Sequence, residues 1–266
     1  MCDPVARAAD LRPLRLHPGC GVFGDLRARQ VIPGRAPSPQ FLLFLVALCL
    51  AFPARAQVSG TLALTSDYRL FGVSLTDRRP ALRLGAVYDH PSGFYVGGSL
   101  VGHDPEHGGA RMLGHMEYAG FAGRRPNGLS WDVGVNNVDL SFYRDRRYPI
   151  EYNQIYVGIA KDALDAHVYF SPNYPERGGS TVYVDLNGAL RPADNWRLTG
   201  HAGALVALAD TRLQDDRRAR YDVTVGVARE WTNAEISLGW TVVFPRPDPK
   251  ASWTRSGIVA GLTYFF

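Results

Sequence analysis

The sequence predicts an all-β protein: a transmembrane up-and-down antiparallel β-barrel of about 12 strands, placed after an N-terminal signal peptide. Three observations predict it. Short segments with an apolar residue at every second position recur along the chain, the connections between them alternate long and short, and the last strand ends on an aromatic residue.

The N-terminal 56 residues read as a separate unit. The chain carries 29 Lys+Arg against 25 Asp+Glu, a net charge of +4. Residues 1–56 hold seven Arg, no Lys and three Asp, so residues 57–266 hold 22 basic and 22 acidic side chains and are neutral. Cys2, Cys20 and Cys49, the 3 cysteines, also lie in the first 56 residues. A nucleic-acid binder needs a basic excess on its folded part, and a zinc–thiolate site or disulfide framework needs cysteine there. The segment from residue 57 onward offers neither. Residues 41–52, FLLFLVALCLAF, form an apolar run followed by Ala54-Arg55-Ala56, a small-x-small cleavage pattern before Gln57. Twelve residues of helix rise only about 18 Å against a hydrocarbon core of about 30 Å, so the run fits an export signal and not a spanning helix. The Arg- and Pro-rich stretch before it is long for a signal n-region, and translation is expected to begin near Val31.

The next elements are the strands. Alternation is clear in 181–187 (TVYVDLN), where Val182, Val184 and Leu186 face opposite to Thr181, Tyr183, Asp185 and Asn187. It recurs in Ile155, Val157 and Ile159, in Val223, Val225 and Val227, and in Ile236, Leu238, Trp240 and Val242. Twelve segments are predicted: 58–67, 80–89, 93–102, 110–122, 128–139, 152–160, 164–170, 180–190, 195–206, 219–229, 233–243 and 255–266. Most have the length of a tilted spanning strand, about 9 to 11 residues, where soluble strands average about 5 to 6. Their connections alternate between 7–12 and 3–5 residues without exchange. Longer loops at one rim and short turns with both termini at the other is what an up-and-down barrel in an outer membrane requires. A soluble sandwich also alternates apolar and polar faces, but here the polar face carries many large polar groups, among them Asp89, Gln154, His167 and His201, which suits a wet lumen.

The final strand carries Ile258, Ala260, Leu262, Tyr264 and Phe266 at every second position. This stripe resembles the C-terminal β-signal of bacterial outer-membrane proteins, which implies the outer-membrane insertion machinery as a partner. Phe94, Trp196, Trp231 and Phe265 are expected as an aromatic belt at the short-turn rim, and Tyr143, Tyr148, Tyr152, Phe244 and Trp253 as a looser one near the long loops.

The run 59–98, with Ser66-Asp67-Tyr68-Arg69, Gly72, Ser74, Thr76-Asp77, Pro80 and Ser92-Gly93-Phe94-Tyr95, resembles the N-terminal region of the TorF-type porins, the Gcw_chp family of Gram-negative outer-membrane proteins. WDVGV (131–135) and YFSPNYPERGG (169–179) look like further landmarks. Phe71 departs from the pattern, which usually has a second Arg before the glycine. The resemblance implies a barrel with a porin role and no established substrate.

A barrel of eight strands is filled by side chains and one of sixteen leaves a wide channel, so twelve predict a narrow polar lumen partly obstructed by side chains or a loop. Arg83, Arg111, His115, Glu117, Asp132, Asp185, Arg197, Asp222 and Glu235 are expected to line it. Their mixed charge predicts weak selectivity toward small polar solutes or ions, because a dedicated anion channel needs an uncompensated basic ladder. Asp67 and Arg69 are expected to pair at the outer rim and hold their loop. Two other classes fit parts of the sequence. One is a non-conducting structural or surface-interaction barrel that uses its long loops, including Arg212, Arg217 and Arg218 beside Asp210, Asp215 and Asp216, to bridge lipopolysaccharide or a partner. The other is a lipid hydrolase drawing on His103, His107 and Ser141. The expectation is a non-enzyme without cofactor or metal, in contact with outer-membrane lipid, lipopolysaccharide and small solutes but no nucleic acid, in the outer membrane of a Gram-negative bacterium.

Overall fold

The computed structural model describes residues 57–104, 109–140, 151–174, 179–208, 213, 218–244 and 256–266. The proposed signal segment lies outside them. The described residues form fourteen strands and no helix: β1 (Gln57–Thr65), β2 (Arg69–Leu70), β3 (Val73–Ser74), β4 (Ala81–Asp89), β5 (Phe94–His103), β6 (Arg111–Arg124), β7 (Ser130–Asp139), β8 (Glu151–Lys161), β9 (Leu164–Tyr174), β10 (Gly179–Ala193), β11 (Trp196–Ala207), β12 (Ala219–Glu230), β13 (Ala234–Phe244) and β14 (Gly257–Phe265). Twelve of them close into one barrel in which every pairing is antiparallel and chain neighbours are sheet neighbours; β2 and β3 stand apart as a small hairpin. The twelve correspond one to one to the predicted segments, with ends shifted by at most four residues. The short turns span two to five residues and the opposite connections four to fifteen.

Closure removes the sheet edges. β14 pairs with β1 from Thr61 opposite Phe265 to Thr65 opposite Gly261, and Gly60 and Phe266 exchange backbone hydrogen bonds of 2.7 and 3.0 Å. In hydrocarbon an unpaired backbone group costs several kcal/mol, so only a closed sheet can cross a membrane with strands.

The two faces separate cleanly. Ile155, Val157, Val225, Ile236, Leu238 and Trp240 project outward and are each about half exposed, whereas Tyr152, Tyr169, Leu205 and Val243 on the alternate parity are buried inside. A soluble barrel would hide the first set. Here the apolar coat is on the outside, as a lipid-facing barrel requires. The C-terminal stripe belongs to this coat: Ile258, Leu262, Tyr264 and Phe266 are 48–70% exposed, and the Phe266 ring lies against Gly60, where a side chain would collide with it. At the short-turn rim Phe94, Trp196 and Trp231 face out, with the Arg229 guanidinium 5.2 and 5.7 Å from the two indole rings.

Three expectations about side-chain direction are corrected. Phe265 shares the inward parity of β14 and is not part of the belt. Of the long-loop belt, Tyr152 is fully buried inside, 5.6 Å from the Tyr174 ring, Phe244 does face out, and Tyr143, Tyr148 and Trp253 lie outside the described residues. His115 and Glu117 point outward. Between Val101 and Gly102 the β5–β6 register slips, leaving Leu113 unpaired, and one extra residue reverses which side of the sheet every later side chain takes. His115 Nε2 sits 3.2 Å from Glu117 Oε1 on the outer wall, beside Asn137, whose amide donates to Asn153 Oδ1 at 3.0 Å. This is a polar patch on an otherwise apolar coat.

Candidate functional site

The lumen has two unlike halves. The half near the long loops is occupied by the β2–β3 hairpin, where the sequence predicts only a connecting loop. Phe71 and Gly72 both take positive φ (47° and 70°), the backbone signature of a tight two-residue hairpin turn. A bulky residue is uncommon there. What compensates is packing: the Phe71 ring lies 4.0 Å from that of Tyr183, and Leu70, Phe71, Val73 and Leu75 are all at most 5% exposed. Gly72 has no room for a side chain, because a Cβ would meet Val243 at 2.6 Å and Asp222 at 2.7 Å on the wall. The hairpin therefore packs onto the inner faces of β10, β12 and β13.

Asp67 and Arg69 hold this hairpin together. Asp67 Oδ2 accepts from Arg69 Nε at 2.7 Å, and its Oδ1 accepts from Ser74 Oγ at 2.5 Å and Thr76 Oγ1 at 3.2 Å. Arg69 Nη1 donates to the Gly72 carbonyl at 2.9 Å. Both charged side chains are under a tenth exposed. One carboxylate thus ties both strands of the hairpin to its base.

The other half is ionic. Asp132, Asp185, Arg197 and Glu235 lie on the inward parity of their strands in this half, while Asp222 does so beside Gly72 of the hairpin, Arg83 toward the long-loop end of β4 and Arg111 at the exposed outer end of β6. The structure does not bring them together as one ladder. At the short-turn end Arg197 is held between Glu230, at 2.6 Å, and Glu235. Nearer mid-barrel a hydrogen-bonded belt crosses from β5 to β12. Tyr156 and Tyr95 share a hydroxyl contact of 2.6 Å, and Tyr95 donates to Asp132 Oδ2 at 3.0 Å. Asp132 Oδ1 faces His167 Nε2 at 3.2 Å. Further along, Asn187 donates to Asp165 Oδ2 at 2.9 Å, His201 Nδ1 meets Asn187 Oδ1 at 2.6 Å, and His201 Nε2 meets Asp222 Oδ1 at 2.9 Å. Tyr183 closes the belt on Asp222 at 3.3 Å.

Small residues make room for it. A Cβ on Gly158 would fall onto His167 and Asp132, so glycine on β8 lets side chains from β7 and β9 meet across it. Asp165, which the sequence reading did not single out, stands two residues from His167 on the same face; that parity was the available signal. Asp165, His167 and Asp185 place one ligand-capable atom each within 4.8 Å of one another. Of the hydrolase candidates, His103 lies on the inward parity at the outer end of β5, while His107 and Ser141 lie outside the described residues, as do Arg212 and Arg217 of the charged loop.

Solved structures share this barrel fold. The chain aligns with the NanC porin at a TM-score of 0.52 and 8% identity, covering 79% of this chain and 100% of that one. The KdgM porin aligns at 0.48 and 11% identity, covering 79% and 99%. At such identities the likeness is one of fold. Among curated proteins none matches the sequence. A family profile does: residues 53–252 match the one described as "Bacterial protein of unknown function (Gcw_chp)". With three quarters of its length inside that match, the chain belongs to the Gcw_chp family.

Proposed function

We propose that this protein is an outer-membrane porin of a Gram-negative bacterium that passes small polar solutes or ions through a constricted lumen with a weak preference for cations. The observation that carries this reading is the contrast between the apolar outer coat and the belt of Asp132, Asp165, His167, Asp185, His201 and Asp222 within. Four carboxylates against two imidazoles leave an excess of acceptors on this wall, and water or mobile cations supply the balance. Arg197 adds little positive field because two glutamates hold it. Such a wall raises local cation concentration modestly, and Arg83 and Arg111 limit the preference.

A second reading has its own support. The hairpin buries four apolar side chains in the outer half of the lumen, which suits a closed barrel that acts through its surface. Reconstitution into planar bilayers separates the two. Stepwise conductance with a reversal potential on the cation side supports the porin. A correctly folded barrel that stays silent favours the closed one. In the conducting case Asp185→Asn combined with Asp222→Asn moves the reversal potential toward anions, and an unchanged value would mean that the belt does not face the ion path.

A further inference from the structure

We infer that Asp165, His167 and Asp185 form a binding site for a divalent first-row transition-metal ion on the lumen wall. The site follows from register. Asp165 and His167 stand two apart on β9 and share its inward face, and Asp185 on β10 is the direct cross-strand partner of His167. The three are at most 8% exposed, and their ligand atoms fall within 4.8 Å of each other.

The histidine supplies an independent sign. Its Nε2 is 3.2 Å from Asp132 Oδ1, so the tautomer that donates there leaves a lone pair on Nδ1. That Nδ1 is buried, has no hydrogen-bond partner, and lies 3.7 Å from Asp185 Oδ1, too far for a hydrogen bond. An orphaned imidazole nitrogen beside the Asp185 carboxylate, with Asp165 in the same cluster, is satisfied by a cation that all three can ligate. The surroundings match what oriented metal ligands use. A carboxylate on the far ring nitrogen fixes tautomer and ring angle, and the Asn187 amide donates to Asp165 Oδ2 at 2.9 Å and to Asp185 Oδ1 at 3.4 Å. One nitrogen and two carboxylate groups suit Zn²⁺ or Mn²⁺; calcium and magnesium prefer all-oxygen sets, and soft ions seek sulfur. Three protein ligands leave a position for water on the lumen side. The site does not depend on whether the lumen conducts.

Equilibrium binding of Zn²⁺ to the barrel, purified from expressing cells with a histidine-free tag and stripped of metal, tests this. One ion per folded barrel is expected. His167→Ala and Asp185→Asn should each weaken binding at least tenfold while the heat-modifiable band of the folded barrel persists on gels. Asp132→Asn should weaken it by about 10- to 100-fold through lost orientation. His115→Ala, on the outer wall, should leave it unchanged. Absence of stoichiometric uptake, or equal affinity in the His167 and Asp185 variants, overturns the site. Should those variants fail to fold, X-ray absorption at the zinc edge of the wild-type barrel decides: a shell of one nitrogen with oxygens upholds it, and an all-oxygen or sulfur-containing shell overturns it.

Discussion

The two halves of the lumen are lined by the same strands and built on opposite principles. Along β9 from the short-turn end, the inward residues are Asp165, His167, Tyr169, Ser171 and Tyr174; along β8 they run Gly158, Tyr156, Gln154, Tyr152. Charge gives way to aromatic and apolar bulk as the long loops are approached. The outer half then packs the hairpin as a soluble protein packs its core, with Leu70, Phe71 and Leu75 against Tyr183, Leu205 and Tyr152. The inner half satisfies its polar groups by a hydrogen-bonded belt. One face of a sheet can thus serve as core at one height and as wet wall at another, and only the position along each strand distinguishes them.

The sharpest break in this contrast is expected at Asp67. Asp67→Ala removes the buried acceptor that Arg69, Ser74 and Thr76 share at the base of the hairpin, at a cost of about 3 to 5 kcal/mol. Limited proteolysis in residues 69–78 should accelerate while the barrel strands stay protected; equal cleavage rates would mean that the hairpin is held by apolar packing alone.

On the outer wall, Leu238→Arg should lower the unfolding free energy in lipid by about 2 to 4 kcal/mol, whereas Asn137→Leu in the polar patch should not lower it. Denaturant titration in vesicles reads both, and a loss in the Asn137 variant would show that the patch supports the fold. Gly158→Ala tests the ionic half. The added methyl has to displace His167 or Asp132, a cost of about 1 to 3 kcal/mol, visible as a lower temperature of the heat-modifiable transition. The smallest effect is at the rim: Arg229→Ala removes the cation over Trp196 and Trp231 and should cost about 0.5 to 1 kcal/mol in the same titration.

How much of this was legible follows from what each feature depends on. The twelve strands were, because each is a local alternation near ten residues long and the loop lengths set their polarity. The inward side of Asp132, Asp185, Arg197 and Asp222 followed from parity alone. His115 and Glu117 broke the same rule because parity carries across a strand only while the register holds, and the unpaired Leu113 is a property of two strands together. The hairpin was hidden for a related reason. Arg69-Leu70-Phe71-Gly72-Val73-Ser74 lacks the Asn-Gly or Asp-Gly turn that marks a two-residue hairpin, and its apolar residues make sense only against Tyr183 and Val243 more than a hundred positions away. Phe71, read in the sequence as a departure from the family's pattern, is the residue that makes this long-range contact. Asp165 shares the parity of His167 and to that extent was legible; its contact with Asn187, across a strand pair, was not.

The most direct test of the two-half lumen is single-channel conductance of the wild-type barrel beside a variant in which residues 69–75 are replaced by an equally long Gly/Ser segment. Small steps in the wild type, enlarged several-fold in the variant with the cation-side reversal potential kept, are the expected result. Equal conductance in both, or silence in both, would contradict a lumen whose outer half is closed down by the hairpin and whose inner half is open to ions.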